Sequence, residues 1–297
     1  MGAADAAPGV SAGTGAILTG VYPELIRSIR AFDRQALKLL ANKKFRDFWK
    51  YVNGNFLLAV LSGTITGIVG LSRLILTGLK HYPIPTSAFF FSVIFMATPL
   101  VMREEIKKWD SGDIMCFSLA LLIAVGLSFI QPVQFPRTLL TIFGAGVLAG
   151  SMALIPGISF VFVLILLGQY GFIASTFAEF VIIAILIFTL GYAVGFAGFS
   201  RIAYYFLHRN YLRTMAILAG VMLGFLNKVW PWREVLEFAT NRKGEQVTAF
   251  DKSILPWNYY ATTGKDPQVL QAILMMALGV FIVVLIERIA SRRKTTI

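Results

Sequence analysis

Cysteine is nearly absent from this sequence and histidine is scarce: Cys116 stands alone, and His81 and His208 are the two imidazoles. A single cysteine excludes a disulfide framework. Charge is thin as well, at 14% Asp, Glu, Lys and Arg, against about 25% in soluble domains. No HExxH, Walker A or CxxC element occurs, which removes several familiar enzyme signatures. The first residues lack the basic start and long apolar core of a signal peptide.

What fills the chain instead is hydrocarbon: 57% of the 297 residues are hydrophobic. Continuous runs such as "FLLAVLSGTITGIVGLSRLIL", "IMCFSLALLIAVGLSFI" and "VLQAILMMALGVFIVVLI" approach the roughly 20 residues that cross a bilayer core. The expected class is an all-α polytopic membrane protein. About six full transmembrane helices are predicted, near 55–79, 87–102, 113–131, 180–207, 212–228 and 269–290. The runs do not alternate, so a β-barrel is excluded.

The net charge of +12 is a topology signal rather than a nucleic-acid signature. Of 27 Lys and Arg residues, eight lie in 27–50, three in 103–108, two in 209–213 and four in 288–294. Threading the spans alternately puts these groups on one side, and positive residues in short loops mark the cytoplasm. Both termini are therefore expected in the cytoplasm, with 229–268 as an external loop. The partners this implies are the bilayer and its lipids, with no nucleic acid and no cofactor. Self-association as a homo-oligomer is compatible with the sequence.

The chain repeats itself. At an offset of 148, Gly2, Pro8, Gly9, Ser11, Gly20 and Tyr22 match Gly150, Pro156, Gly157, Ser159, Gly168 and Tyr170. At an offset of 128, "GTITGIVGLSR" (63–73) matches "GYAVGFAGFSR" (191–201) at Gly63, Gly67, Gly70, Ser72 and Arg73. A first repeat is expected over 1–136, with a re-entrant element in 1–30 and a basic cytoplasmic linker at 31–50. A second is expected over 137–297, with its re-entrant element in 137–175. Three crossings separate the two elements, an odd number, so the second copy is inverted. Inverted repeats with two re-entrant, broken helix hairpins are the plan of many secondary transporters.

Pro-Gly breaks in apolar helices have a physical use. Pro8 and Pro156 lack an amide hydrogen and disfavour helix at the residue before them. Gly9 and Gly157 permit reversal, and Ser11 and Ser159 are good N-caps for the helices after the breaks. Free N–H groups, a hydroxyl and a positive helix end together attract an anion. Ser11, Gly13, Thr14, Gly9, Gly157 and Ser159 are therefore candidate binding residues. The plainer alternative, a pair of helix kinks, leaves the matched flanking glycines without an explanation.

Arg73 and Arg201 sit inside apolar runs, each after a serine, Ser72 and Ser200. Snorkelling to a headgroup is one reading; the other is a guanidinium in each leaflet that clamps phosphate. Asp5 and Glu24 are candidates for an ion pair or a coupling proton. Gly63/Gly67 and Gly191/Gly195 are expected to mark close helix packing. A membrane-embedded lipid phosphatase would need a nucleophilic and an acid-base histidine. His81 and His208 differ in their spacing from the arginines and are expected on opposite faces. A carrier of a small soluble anion is a further alternative.

The residues "GAADAAPGVSAGT", the G-x-Y after them, "IPGIS" with "LGQY", and "LAGVMLGFLNKVWPW" resemble the bacterial polyprenyl-phosphate transporter family across nearly the whole chain. The resemblance implies an undecaprenyl-phosphate translocase of the bacterial cytoplasmic (inner) membrane. Such a flippase, not an enzyme, returns the lipid carrier from the outer to the inner leaflet for reuse in cell-wall synthesis. Its motif residues here are Pro8, Gly9, Ser11, Gly13, Thr14, Pro156, Gly157 and Ser159. Two departures stand out. Phe160 and Val161 come after the second motif where the family has small residues, which implies a narrower pocket. Met1 abuts the first motif, so the counterpart of 137–155 is expected to be missing or truncated.

Overall fold

The computed structural model describes residue 2 and residues 11–102, 106–130, 133, 135–136, 138–240 and 246–294. Asp5, Pro8 and Gly9 lie outside the described residues. The first elements are short helices: α1 (Ala12–Leu18), α2 (Tyr22–Arg30), α3 (Arg34–Ala41) and α4 (Phe45–Tyr51). Long helices come next, α5 (Gly54–His81), α6 (Pro83–Val101) and α7 (Ser111–Ser128). The second half begins with α8 (Leu139–Ala153), α9 (Phe160–Leu166) and α10 (Tyr170–Ala178). It continues with α11 (Ile182–Arg209) and α12 (Tyr211–Gly224), the latter extended by a 3-10 turn at Phe225–Val229. Strands β1 (Arg233–Thr240) and β2 (Gln246–Ser253), then α13 (Pro256–Thr263) and α14 (Val269–Lys294), complete the chain.

Among the described residues, five helices are long and apolar enough to cross a membrane: α5, α7, α11, α12 with its 3-10 turn, and α14. The expected span near 87–102 is the shorter apolar α6, described as such over Pro83–Pro99, about 25 Å at 1.5 Å per residue. Helices α9 and α10 also qualify together but bend by 118° at the intervening break. Large apolar side chains face outward along these helices, including Leu122, Ile183, Leu190 and Leu274. Such surfaces suit lipid rather than water. The chain is a helical membrane protein.

The element bounds match the sequence offsets. Helix α9 starts and ends 148 residues after α1, and α10 does so after α2. Gly20 and Gly168, which end the first helix of each pair, have φ +70° and +63°. Helices α5 and α11 are both 28 residues long and start 128 residues apart. Their ends are alike, with the N–H of Tyr82 bonded to Gly78 O and that of Asn210 to Phe206 O. A Cβ on Gly2 would fall 2.1 Å from Thr64 O, and one on Gly150 would fall 2.1 Å from Tyr192 O.

Glycine sets the helix spacing. Cβ atoms on Gly146, Gly191 and Gly195 would lie 2.4, 2.3 and 1.9 Å from Phe188 O, Phe143 O and Val147 O. Helices α8 and α11 therefore meet backbone to backbone, as small residues allow in membranes. Among the described residues, nothing lies within 4 Å of a Cβ on Gly63, the offset partner of Gly191, so the close packing seen at Gly191 is not repeated there among them. Elsewhere, side-chain caps fix the starts. Asp33 accepts from Gln35 N and Ala36 N at α3, and Asp110 with Asp113 forms a capping box at α7.

The sequence reading of an all-α chain misses one element. Segment 229–268 contains an antiparallel hairpin that pairs Arg233 with Ser253 and Thr240 with Gln246. Helix α13 comes after it and closes on Gly264 at φ +68°. Trp230 Nε1 donates to Ile254 O and Trp232 Nε1 to Pro267 O, both at 2.8 Å, so the two indoles clasp this segment. Asn227 joins it to the helices. Its Nδ2 donates to Ser128 Oγ at 3.2 Å, its Oδ1 accepts from Ser253 Oγ at 2.8 Å, and its carbonyl accepts from Arg233 Nη1 at 2.7 Å.

Candidate functional site

The largest core cluster includes Ile17, Tyr22, Ile26, Ile94, Leu154, Met215 and Met222. It surrounds the place where the two broken elements meet. Ser11 has an extended backbone and accepts from Thr14 N at 3.3 Å, which starts α1 as an N-cap should. The same hydroxyl donates to Ile155 O at 3.2 Å. Thr14 Oγ1 accepts from Gly157 N at 2.9 Å, and Tyr22 Oη donates to Leu154 O at 3.0 Å. Three hydrogen bonds therefore stitch the end of the first motif to the second.

Backbone geometry explains why glycine stands at both contacts. Gly157 has φ +87°, and a Cβ there would lie 2.7 Å from Met222 Cα. Gly13 approaches the other element, and a Cβ would meet Leu154 O at 3.0 Å and Pro156 N at 3.1 Å. Ser11 and Thr14 are buried. In this arrangement their hydroxyls are engaged with each other and with Ile155 O and the Gly157 amide. Ser159 begins α9 with extended backbone, but its side chain makes no cap hydrogen bond. Ser159 thus holds the expected N-cap position without acting as a side-chain cap.

The arginines part company. Arg73 is exposed on α5. Arg201 is held by two carbonyls: Nη1 donates to Ala197 O and Nη2 to Phe32 O, both at 3.1 Å. The first bond lies within α11, and the second ties α11 to the segment after α2. Ser200, expected beside it as a ligand, is fully buried and donates to Ala197 O at 2.8 Å. Glu24, a candidate for an ion pair or a coupling proton, accepts from Asn53 Nδ2 at 2.8 Å. Asn53 adopts φ +54° at the start of α5, which brings its amide there.

A cavity of about 540 Å³ opens beside Arg201, lined also by Arg30, Tyr204, His208 and Arg209. That volume lies within the range of small-molecule sites, roughly 300–1,000 Å³. Sequence reasoning singled out only Arg201 of this group as a binding residue. Arg30 and Arg209 look like ordinary juxtamembrane charge, and nothing local says that α2 and α11 bring them together. The signal available was the i, i+4 and i, i+7 spacing of Tyr205, Arg209, Arg201 and His208, which is shared by many helix ends.

Comparison with known proteins gives the family. The family model described as undecaprenyl phosphate translocase-like matches residues 1–247. A polyprenyl-phosphate transporter of Vibrio cholerae is 32% identical over 292 residues, 98% of this chain and 94% of that protein. One of Staphylococcus aureus is 31% identical over 249 residues, 78% of this chain and 83% of that protein. No solved structure matches. The chain belongs to the undecaprenyl phosphate translocase-like family.

Proposed function

On that membership we propose that the protein carries polyprenyl phosphate, with undecaprenyl phosphate as substrate, across the bacterial cytoplasmic membrane. The net direction is outer to inner leaflet, which returns the lipid carrier for cell-wall polymer synthesis. The carrying observation is the junction of the two Pro-Gly elements, Thr14 Oγ1 with Gly157 N at 2.9 Å. A phosphate head must cross about 30 Å of hydrocarbon while its isoprenoid tail remains in lipid. Polar groups of Ser11 and Thr14 that meet the second break in an apolar core suit that task.

The chain is read as an inverted repeat with two re-entrant hairpins, and both termini are cytoplasmic. The matched helix bounds at offsets of 148 and 128 support the repeat, and the 118° bend between α9 and α10 supports re-entry. Opening of the junction exposes Ser11, Thr14 and the Gly157 amide to the head. Arg73 receives the head in the outer leaflet and Arg201 in the inner, while rocking of the repeats alternates access. Gly9, Gly13, Ser72, Ser159 and Ser200 complete the proposed path, with Asp5 and Glu24 as candidates for coupling.

Proteoliposomes with labelled polyprenyl phosphate test the reading through the leaflet in which the label resides. Protein-dependent exchange between leaflets, with no inorganic phosphate released, is the expected result. Release of inorganic phosphate would instead identify a phosphatase, and competition by short water-soluble phosphates would identify a carrier of soluble anions. Absence of leaflet exchange in sealed vesicles holding folded protein overturns the proposal.

A further inference from the structure

The cavity between α2 and α11 gathers three guanidiniums, Arg30, Arg201 and Arg209, around one carboxylate, Asp33, which feels the charge of Arg30. Among the described residues, Arg30, Arg201 and Arg209 make no ion pair. Each is nonetheless fixed in place. Arg30 Cζ lies 4.1 Å above the Tyr204 ring, Arg209 Nη1 donates to Tyr205 Oη at 2.9 Å, and Arg201 is held by its two carbonyls. His208 stacks on Tyr204 with ring centroids 4.6 Å apart. Asp33, the carboxylate that lines the cavity, is already engaged. It accepts from Gln35 N, Ala36 N and Tyr51 Oη.

Three guanidiniums around one opening repel one another, and anchoring them costs side-chain entropy. A doubly charged anion offsets the repulsion, and side chains already anchored lose less freedom on binding it. Each guanidinium carries five donors in a planar fork, and Arg201 spends two of them on carbonyls in the bonds described above. We propose that this cavity is a binding site for a phosphate monoester, with Arg30, Arg201 and Arg209 as its ligands and the Tyr204–His208 stack as the wall that holds Arg30. The site deepens the transport reading and rests on it for one point only, that the phosphate arrives on an isoprenoid tail.

The repeat-related positions do not reproduce this arrangement. At an offset of 128, Tyr204 and Tyr205 correspond to Leu76 and Thr77, and at 148 Arg30 corresponds to Ala178. Arg201, His208 and Arg209 correspond to Arg73, Lys80 and His81. The two ends share basic residues, whereas the anchoring tyrosines and the third guanidinium belong to the α2–α11 cavity. That end is the stronger seat for the headgroup.

Purified protein in nanodiscs tests the site with three probes: farnesyl phosphate, inorganic phosphate and phosphatidylglycerol. Calorimetric binding of farnesyl phosphate is expected to weaken roughly tenfold or more in Arg30→Ala and in Arg209→Gln, the scale of one lost charge-assisted hydrogen bond. Inorganic phosphate showing the same sensitivity assigns the site to the phosphate group itself; if only farnesyl phosphate does, the tail contributes. Either result supports the proposal. Equal competition by phosphatidylglycerol overturns it, because the cavity would then be a seat for any anionic lipid. Wild-type affinity in both variants also overturns it.

Two controls separate binding from folding. Arg30→Lys keeps the charge and is expected to retain more affinity than Arg30→Ala. In His208→Cys, farnesyl phosphate is expected to slow maleimide labelling at least threefold, and an unchanged rate counts against the site. These readouts need no transport. If binding is intact but leaflet exchange is absent, the transport reading fails alone; if exchange proceeds in Arg30→Ala and Arg209→Gln at the wild-type rate, the cavity fails alone.

Discussion

The hydroxyl oxygen of Thr14 accepts the amide hydrogen of Gly157 at 2.9 Å, across 143 residues of sequence. Both partners are buried. A donor left without a partner in such a place costs about 1–3 kcal/mol.

Thr14→Val keeps the shape of the side chain and removes the acceptor. The expected outcome is a thermal midpoint lowered by several degrees, read by intrinsic fluorescence in detergent, together with slower leaflet exchange. Thr14→Ser restores the acceptor and is expected to recover most of the midpoint. An unshifted midpoint in Thr14→Val would show that this bond contributes nothing to stability.

Glycines related by the repeat give a sharp contrast. Gly191→Ala drives a methyl group against Phe143 O, 2.3 Å from the ideal Cβ, whereas nothing among the described residues lies within 4 Å of a Cβ on Gly63. Overpacking of this kind costs about 1–3 kcal/mol. Size-exclusion chromatography and thermal melting are expected to find Gly191→Ala less stable and Gly63→Ala unaffected or slightly improved. Equal behaviour of the two variants contradicts the spacing of α8 and α11.

Acid sensitivity is expected at the start of α7. The Asp113 backbone N–H, and then the charge of Arg213, hold the Asp110 carboxyl below its ordinary value. A carboxyl whose folded-state pKa is depressed stabilises the fold above its unfolded value of about 3.9, and that contribution fades as the pH falls through the folded value. The melting midpoints of the wild type and Asp110→Asn should therefore differ near pH 7 and converge near pH 3. The difference will be small, because Asp110 is exposed and solvent screens such pairs.

For transport, Arg73→Ala and Arg201→Ala are each expected to lose leaflet exchange of polyprenyl phosphate. Arg201→Ala also removes the bonds to Ala197 O and Phe32 O, so its melting midpoint must be measured alongside. Wild-type exchange in both variants ends the role given to these residues.

The apolar helices were legible because hydrophobic runs of span length have few other uses in a chain this poor in charge. Helices 54–81 and 182–209 carry their own signal in paired glycines and a Ser-Arg end. The meeting of Thr14 with Gly157 was foreshadowed by two Pro-Gly breaks, but the engagement of its hydroxyl was not. The sequence cannot say that these polar groups will bond one another before they meet a ligand. Ser159 misled because a good capping residue does not guarantee the hydroxyl geometry of a cap. The hairpin at 233–253 was hidden by its setting: a polar segment between two membrane helices reads as a loop unless alternation is sought there. Arg30 and Arg209 were invisible as a pair because their proximity is a property of how α2 crosses α11.

The Asn227 amide gives the sequence motif "LNKVWPW" a mechanical meaning. Through one side chain and its carbonyl, the last turn of α7, the end of α12 and the base of the hairpin are bound together. Three segments distant along the chain thus share a single rivet. The hairpin is thereby joined to the end of α12, the helix whose Met222 Cα would stand 2.7 Å from a Cβ on Gly157. Asn227→Ala would therefore loosen the appendage and the helix ends together, since it removes both side-chain bonds at once.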